Sequence, residues 1–400
     1  MSRRFDLCFV GLKCYDLLAD KAVPKYLGGI ERVFVALAKS LSASGLKVAF
    51  VTYDEGQNDV DLHDGITVFK AHGADAGVPV LRLLHPRMTA IWRAMKKADA
   101  RYYLQMGAGV ETLAVAFAVR GLIKDARFVY CVASNLDCEK DLRGIRSVHE
   151  RFLYSLGLRQ AHSIVAQTER QAAMLQENFG LGSHVIPMPC EVLSTESNGD
   201  TMAGNGVSVQ TGSGRASASN GPLNVLWVGR TVAMKRLEWL LDLALLMPEA
   251  EFHVIGTANQ DSEYSKGLVV RARQLANVHV YGRLSQADLV LRYRSAFVLC
   301  CTSSLEGFPT TFLEAWKVGV PVVTTFDPDR IVERMDVGIS VATIPELQRA
   351  ILQLQGDSKL YDRLSRNSEG LYRNQYSPEA IVRQYLEFIS SGNKERWTAG

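Results

Sequence analysis

Glu306 and Glu314 stand eight residues apart in "SLEGFPTTFLEAWKVGVPVV", residues 304–323. Between them lie a glycine, a proline and two threonines; after them come a short apolar run, Gly319 and a β-rich segment. The stretch follows "FVLCCTSS", so a strand ends near Thr302 and a loop carries Glu306. Pro309 suits the first helical position, where its missing N–H costs nothing. The amides of Thr310 and Thr311 then fall among the unpaired donors of the first turn. Such a helix end carries partial positive charge and receives phosphate readily. Glu314 sits about five residues into the helix, roughly 7–8 Å along the axis at ~1.5 Å per residue. Helical side chains lean back toward the N-terminus, so Glu314 can reach past a phosphate to a second polar group. Glu306 can reach a third from the loop side. Carboxylates are good acceptors for paired sugar hydroxyls. A diphosphate flanked by two hydroxyl-rich rings is a nucleotide sugar.

A second stretch, "WVGRTVAMKR", puts Gly229 and Arg230 at a strand end and Lys235 at the start of the next helix. Two cations five residues apart above a parallel sheet fit a diphosphate clamp. They would also stabilise charge on a leaving nucleotide. Singly, each residue has a plainer reading as a helix-start acid, a solvated helical acid or a surface cation. The four in this order carry the functional one.

The elements that must position them alternate along the chain. Strands are predicted at 6–12, 48–53, 66–71, 101–106, 128–134, 163–168 and 184–188, and then at 224–230, 252–257, 278–283, 297–302 and 321–326. Helical patterns intervene. "GGIERVFVALAKSLSASG" places Ile30, Val33, Phe34, Leu37 and Leu41 on one face and stops at Gly45. "KRLEWLLDLALLM" fills 235–247, and "SPEAIVRQYLEFI" (377–389) begins with Ser377 as a cap and Pro378 in the first turn. Strands apolar throughout, joined by helical crossovers, imply parallel sheet covered on both faces. Residues 196–221 break this pattern with Gly, Ser, Asn, Thr and Ala and read as a flexible linker. The expected organisation is an N-terminal α/β domain over 1–190, a linker over 191–222, a second α/β domain over 223–375, and a C-terminal helix over 376–400. Two facing Rossmann-like domains would bind ligands at their C-terminal strand edges, in the cleft between them.

Composition agrees with two ordinary domains. The chain has 400 residues, 47% of them apolar, and a net charge of +3, too small to argue for nucleic acid. Its seven cysteines are scattered and none forms a CxxC pair, which favours a reducing compartment over a disulfide framework or a zinc site. The apolar run Leu7 to Gly11 is too short for a signal peptide, and no run approaches the ~18 residues of a membrane span. The expectation is a cytoplasmic protein, soluble or peripheral.

The second half resembles the retaining glycosyltransferases of the GT-B fold, most closely the large family 4. That family shows a Glu-x7-Glu motif followed by Ala, a helix, Gly and a Pro-Val-Val strand, matched by "EGFPTTFLEAWKVGVPVV". It shows Gly-Arg and Lys ahead of a long helix, matched by Gly229, Arg230 and Lys235. Ile255-Gly256 and "YGRLS" (281–285) match further strand ends; "GGIER" (28–32), "VAQTERQ" (165–171) and "VIPMP" (185–189) match more weakly in the first half. The resemblance implies that Arg230 and Lys235 hold the donor diphosphate, Glu306 the transferred sugar and Glu314 the ribose. It implies that the amides of Gly307, Phe308, Thr310 and Thr311 line the phosphates and that Arg283-Leu284 passes the base. Gly28 and Gly29 would let the first domain's backbone approach the donor. The C-terminal helix would cross back to the first domain. The family often has Gly where Pro309 stands. Many members carry a His after the strand at 128–134, where this chain reads "ASNLDC"; Asp137 is the candidate for holding the acceptor.

The implied reaction moves a sugar from a UDP- or GDP-linked donor to a glycan or lipid-linked acceptor in surface polysaccharide synthesis, with retention. It needs no metal and no cofactor, because the cations replace the metal. Same-fold glucan or disaccharide synthases, and a non-catalytic nucleotide-sugar binder, are the competing readings. "DVD" (59–61) and "DPD" (327–329) match a metal motif of a different glycosyltransferase fold and read as loops. The segment 80–101 interleaves six Lys and Arg residues with Leu83, Leu84, Met88, Ile91, Trp92 and Met95. It is a candidate for lying on an anionic membrane surface, against the plainer reading of a helix with its apolar face in the core.

Overall fold

The computed structural model describes residues 4–21, 24–26, 28–77, 83–145, 147–188, 223–256 and 262–391. The linker read at 191–222 lies outside them. The chain divides into two compact units, Met1–Glu191 with Tyr376–Gly400, and Val192–Gln375.

In the first unit the strands are β1 (Phe5–Val10), β2 (Val48–Thr52), β3 (Val60–His63), β4 (Ile66–Lys70), β5 (Ala100–Met106), β6 (Arg127–Cys131), β7 (Ser163–Ala166) and β8 (His184–Val185). They form one sheet in the order β3-β4-β2-β1-β5-β6-β7-β8. Every pairing is parallel except β3 with β4. Strands such as "VAFVT" are apolar on both faces and need cover on both. One cover is the helix Gly29–Ala43, whose Phe34, Leu37 and Leu41 join Phe9 and Phe50. The helix Pro378–Ser391 adds Ile381, Tyr385 and Phe388 to the same layer, and Tyr102 Oη donates to the Ile389 carbonyl at 3.0 Å. A second cluster joins Ile91 and Met95 of the helix Thr89–Ala98 to Tyr103, Phe128 and Tyr154.

That second cluster bears on the membrane reading of 80–101, of which residues 80–82 lie outside the described residues. Met88, Ile91 and Met95 are buried in the core, and Trp92 Nε1 donates to the Ala114 carbonyl at 2.8 Å. These apolar side chains are not free for lipid. Arg93, Lys96 and Lys97 are what the helix turns outward. No helix among the described residues is long and apolar enough to cross a membrane.

The second unit carries β9 (Leu223–Val228), β10 (Ala250–Ile255), β11 (Val278–Gly282), β12 (Val298–Cys301), β13 (Val322–Thr324) and β14 (Gly338–Ser340). All pair in parallel, in the order β11-β10-β9-β12-β13-β14. The order runs outward from β9 in one direction, then outward from β12 in the other. The crevice of such a sheet opens beyond the C-terminal ends of the two strands where the direction reverses, here β9 and β12. The helix Leu237–Leu246 anchors the turn after β9 by burying Leu240, Leu241 and Leu243 completely. Each contributes roughly 1.5–3 kcal/mol relative to exposure.

Candidate functional site

The ends of β9, β10 and β11 are stitched by backbone. Gly229 N donates to the Ile255 carbonyl at 2.9 Å, and Gly256 N to the Gly282 carbonyl at 2.8 Å. Gly256 has φ +140°, and a Cβ there would lie 1.8 Å from Gly229 O, so only glycine lets these strand ends approach so closely.

Beyond β9, Arg230 is exposed, and its side chain has no hydrogen-bond or ion-pair partner among the described residues. A single 3-10 turn, Ala233–Lys235, then brings Lys235 back over the sheet edge. The loop after β12 is fastened to this turn. Thr302 Oγ1 donates to the Lys235 carbonyl at 2.7 Å while accepting from Trp227 Nε1 at 3.0 Å. Ser304 N donates to the Met234 carbonyl at 2.8 Å. The result is an ion pair between Lys235 Nζ and Glu306 Oε1, whose side chains are 19% and 14% exposed. Ser303 Oγ donates to the same carboxylate oxygen at 2.7 Å. Two of the four residues singled out by spacing are therefore in contact, at the strand ends where the sheet reverses.

The helix beginning at Thr310 ends at Lys317. Pro309 is its N-cap in extended conformation, φ −67° and ψ 112°, rather than its first helical residue. Thr310 is exposed and Thr311 half-buried, with their amides in the first turn. Gly307 has open space around it, and Phe308 meets Trp316 edge-on at 6.3 Å. Glu314, one turn further, accepts from the phenol of Tyr293, which is fully buried in the helix Gln286–Ser295. Spacing arguments missed Tyr293; only its place on the apolar face of that helix hints at it. Arg283 is exposed after Gly282, and Leu284 is half-buried.

Burial pushes the Glu314 carboxyl above its ordinary range, against the pull of the Tyr293 hydrogen bond. The folded chain therefore holds this proton more tightly than the unfolded chain. The group's contribution to stability is full below the ordinary carboxylate pKa and is lost as pH rises from there to the raised value. Glu314→Gln, a neutral isostere, is expected to be more stable than the parent at neutral pH, with the difference shrinking on acidification. Calorimetric unfolding across that range checks it; a parent that gains on the variant as pH rises would contradict the burial argument.

The remaining candidates lie in the first unit. Gly28 is the extended N-cap of the helix Gly29–Ala43, and both glycines are exposed. Asp137 is buried, and its carboxylate accepts from Ala133 N at 2.8 Å, Ser134 N at 3.2 Å and Tyr130 Oη at 3.3 Å. It closes a capping box with Ser134, yet burial pushes its carboxyl above the ordinary range against the pull of these hydrogen bonds. It still borders a hollow of about 250 Å³ that Gly11, Glu31, Tyr53, Gly107 and Glu111 also line. The Asp-x-Asp stretches are not loops, as read from the sequence: Asp61 lies in β3 and accepts from Tyr15 Oη at 2.9 Å, while Asp327 precedes the 3-10 turn Pro328–Arg330 and accepts from Val332 N and Glu333 N at 2.8 and 3.1 Å.

Residues 214–371 match the family described as Glycosyl transferases group 1. The lipopolysaccharide core biosynthesis glycosyltransferase LpsE of Rhizobium meliloti is 26% identical over 171 residues, 42% of this chain and 49% of that protein. The chain spans about half the length, or less, of the curated relatives it matches. Among solved structures, a sucrose-phosphate synthase from Thermosynechococcus elongatus aligns with TM-score 0.68 at 17% identity, over 97% of this chain and 99% of that one. Anabaena HepE, in complex with UDP and glucose, gives 0.67 at 16% identity, over 97% and 100%. The fold is thus GT-B: an α/β chain with two Rossmann-like domains built on parallel sheets. The portion matched by the glycosyl transferases group 1 family contains Arg230, Lys235, Glu306 and Glu314.

Proposed function

We propose that the chain is a retaining, metal-independent glycosyltransferase that takes a sugar from a UDP- or GDP-linked donor to a glycan or lipid-linked saccharide of a surface polysaccharide. The observation that carries this reading is the Lys235–Glu306 pair at the reversal point of a doubly wound sheet, beside a helix N-terminus. Arg230 and Lys235 hold the diphosphate, with the amides of Gly307 to Thr311 along its oxygens. Glu306 takes the hydroxyls of the transferred sugar and Glu314 those of the ribose. The bond from the anomeric carbon to the phosphate oxygen breaks while one to the acceptor hydroxyl forms on the same face. The acceptor's proton passes to the leaving phosphate oxygen, so no protein nucleophile is required. The cations and helix end stabilise the departing charge. LpsE and its lipopolysaccharide role support the polysaccharide assignment. The alignment with sucrose-phosphate synthase over nearly its full length supports disaccharide synthesis as the second reading. The proposed location is the cytoplasm, with Arg93, Lys96 and Lys97 left to meet an anionic surface.

A thermal-shift panel of nucleotide sugars tests the donor class. A true donor at about 100 times its dissociation constant stabilises the protein by about 2.7 kcal/mol, and its nucleoside monophosphate much less. No shift with any nucleotide sugar would refute the reading. A shift without turnover would favour the non-catalytic binder.

A further inference from the structure

Arg236 follows Lys235 in a backbone conformation that disfavours it. Its φ is 46° and its ψ 51°, the left-handed region that residues with a Cβ enter only at a cost. Such strain persists where the surroundings over-determine it, and it clusters at functional sites. Here the guanidinium does the determining. Nε donates to the Thr302 carbonyl at 2.7 Å, and Nη2 donates to the Ser303 carbonyl at 2.9 Å and to Thr325 Oγ1 at 2.8 Å. The guanidinium carbon lies 4.0 Å from the centre of the Trp239 ring, which fixes its plane. One side chain thus ties together the loops that follow β9, β12 and β13. Two of its three acceptors are the backbone carbonyls of the residues whose own side chains hold the ion pair in place. Thr302 Oγ1 holds the Lys235 carbonyl, and Ser303 Oγ holds Glu306.

We propose that Arg236 is a positioning residue: by clamping the loops that carry Lys235 and Glu306 it sets the spacing of these two groups on the donor. The proposal rests on reading these loops as the donor site. Lysine cannot replace it, because an ammonium lacks the planar fork that serves several fixed acceptors. Glycine separates the two possible roles. If Arg236 merely completes the turn, glycine is the better residue there, since it enters the left-handed region freely. If Arg236 is a clamp, glycine relaxes the turn and loses the spacing.

The test compares the parent, Arg236→Gly and Thr325→Val, which removes one acceptor of the clamp together with that hydroxyl's own bond to the Ser303 carbonyl and leaves the turn alone. UDP and GDP are the binding probes, by titration calorimetry; turnover is followed with whichever nucleotide sugar stabilises the parent most; the unfolding temperature is recorded for each. In Arg236→Gly, turnover is expected to fall about 100-fold, the loss that a displacement near 1 Å can cause. Its nucleoside diphosphate affinity should fall by less than its turnover, and its unfolding temperature should stay close to the parent's. Thr325→Val should lose turnover in the same direction by a smaller factor. An Arg236→Gly protein with parental turnover would overturn the proposal. Should that variant fail to fold, Thr325→Val decides, and unchanged turnover there is the contrary result. A parent that binds neither nucleotide and is stabilised by no nucleotide sugar sinks the donor-site reading first, and this proposal with it.

Discussion

Glu306→Gln is expected to lower turnover about 100- to 1,000-fold, the scale seen when one preorganised polar group is removed from a reacting centre. Affinity for the bare nucleoside diphosphate should stay within about threefold, because a nucleoside diphosphate carries no transferred sugar for this side chain to hold. The carboxylate of Glu306 is mostly buried and already oriented by Lys235 and Ser303. An ionised carboxylate accepts at both oxygens, which suits two neighbouring sugar hydroxyls; a glutamine presents one acceptor and one donor in the same space. The substitution therefore keeps the shape and reverses one half of the recognition. Steady-state kinetics together with calorimetric titration separate the two quantities. A variant with parental turnover would remove Glu306 from the reaction.

The second large effect concerns its partner. Lys235→Ala should weaken nucleoside diphosphate binding by about 10- to 100-fold, from the 1.5–3 kcal/mol of a hydrogen bond to a charged group at about 1.4 kcal/mol per tenfold. Turnover should fall further, because on the proposed mechanism the same ammonium faces the charge that grows on the leaving phosphate. The substitution also leaves Glu306 without its cation in a site where both side chains are largely shielded from water. Combining it with Glu306→Gln should therefore cost less than the two separate losses added together, as residues in direct contact do. Full additivity in turnover and affinity would mean that the two side chains act at separate places.

Much of this was legible before any coordinates. Parallel strands announce themselves by being apolar throughout, and the turns just past the C-terminal ends of β9 and β12 carry Arg230, Lys235 and Glu306. The edges were harder. β3 pairs antiparallel at the border of the first sheet with Val60 and Leu62 exposed, so its "VDLH" lacks the apolar run that marked its neighbours. The signal present was the turn: Asp64 and Gly65 both have positive φ, the Asp-Gly hairpin that a two-residue loop prefers. β14 is three residues long, too short for any periodicity. Basic and apolar residues interleaved in 80–101 describe a core helix and a membrane-surface helix equally well. Packing puts Ile91 and Met95 inside and leaves Arg93, Lys96 and Lys97 outward. Asp137 shows a related ambiguity, since an acid three residues after a serine reads both as a ligand for substrate and as a cap. Tyr293 and Arg236 were invisible for a different reason. Their partners, Glu314 and Thr302, Ser303 and Thr325, come from distant parts of the chain, and no spacing rule reaches that far.

The central claim is that one sugar–diphosphate sits on the second sheet's reversal point. A crystal structure of the protein with its nucleotide sugar tests it most directly. The account predicts diphosphate density against Lys235, Arg230 and the amides at the start of the helix Thr310–Lys317, with ribose at Glu314 and sugar at Glu306. Nucleotide bound elsewhere, with the Lys235–Glu306 pair undisturbed, would contradict it.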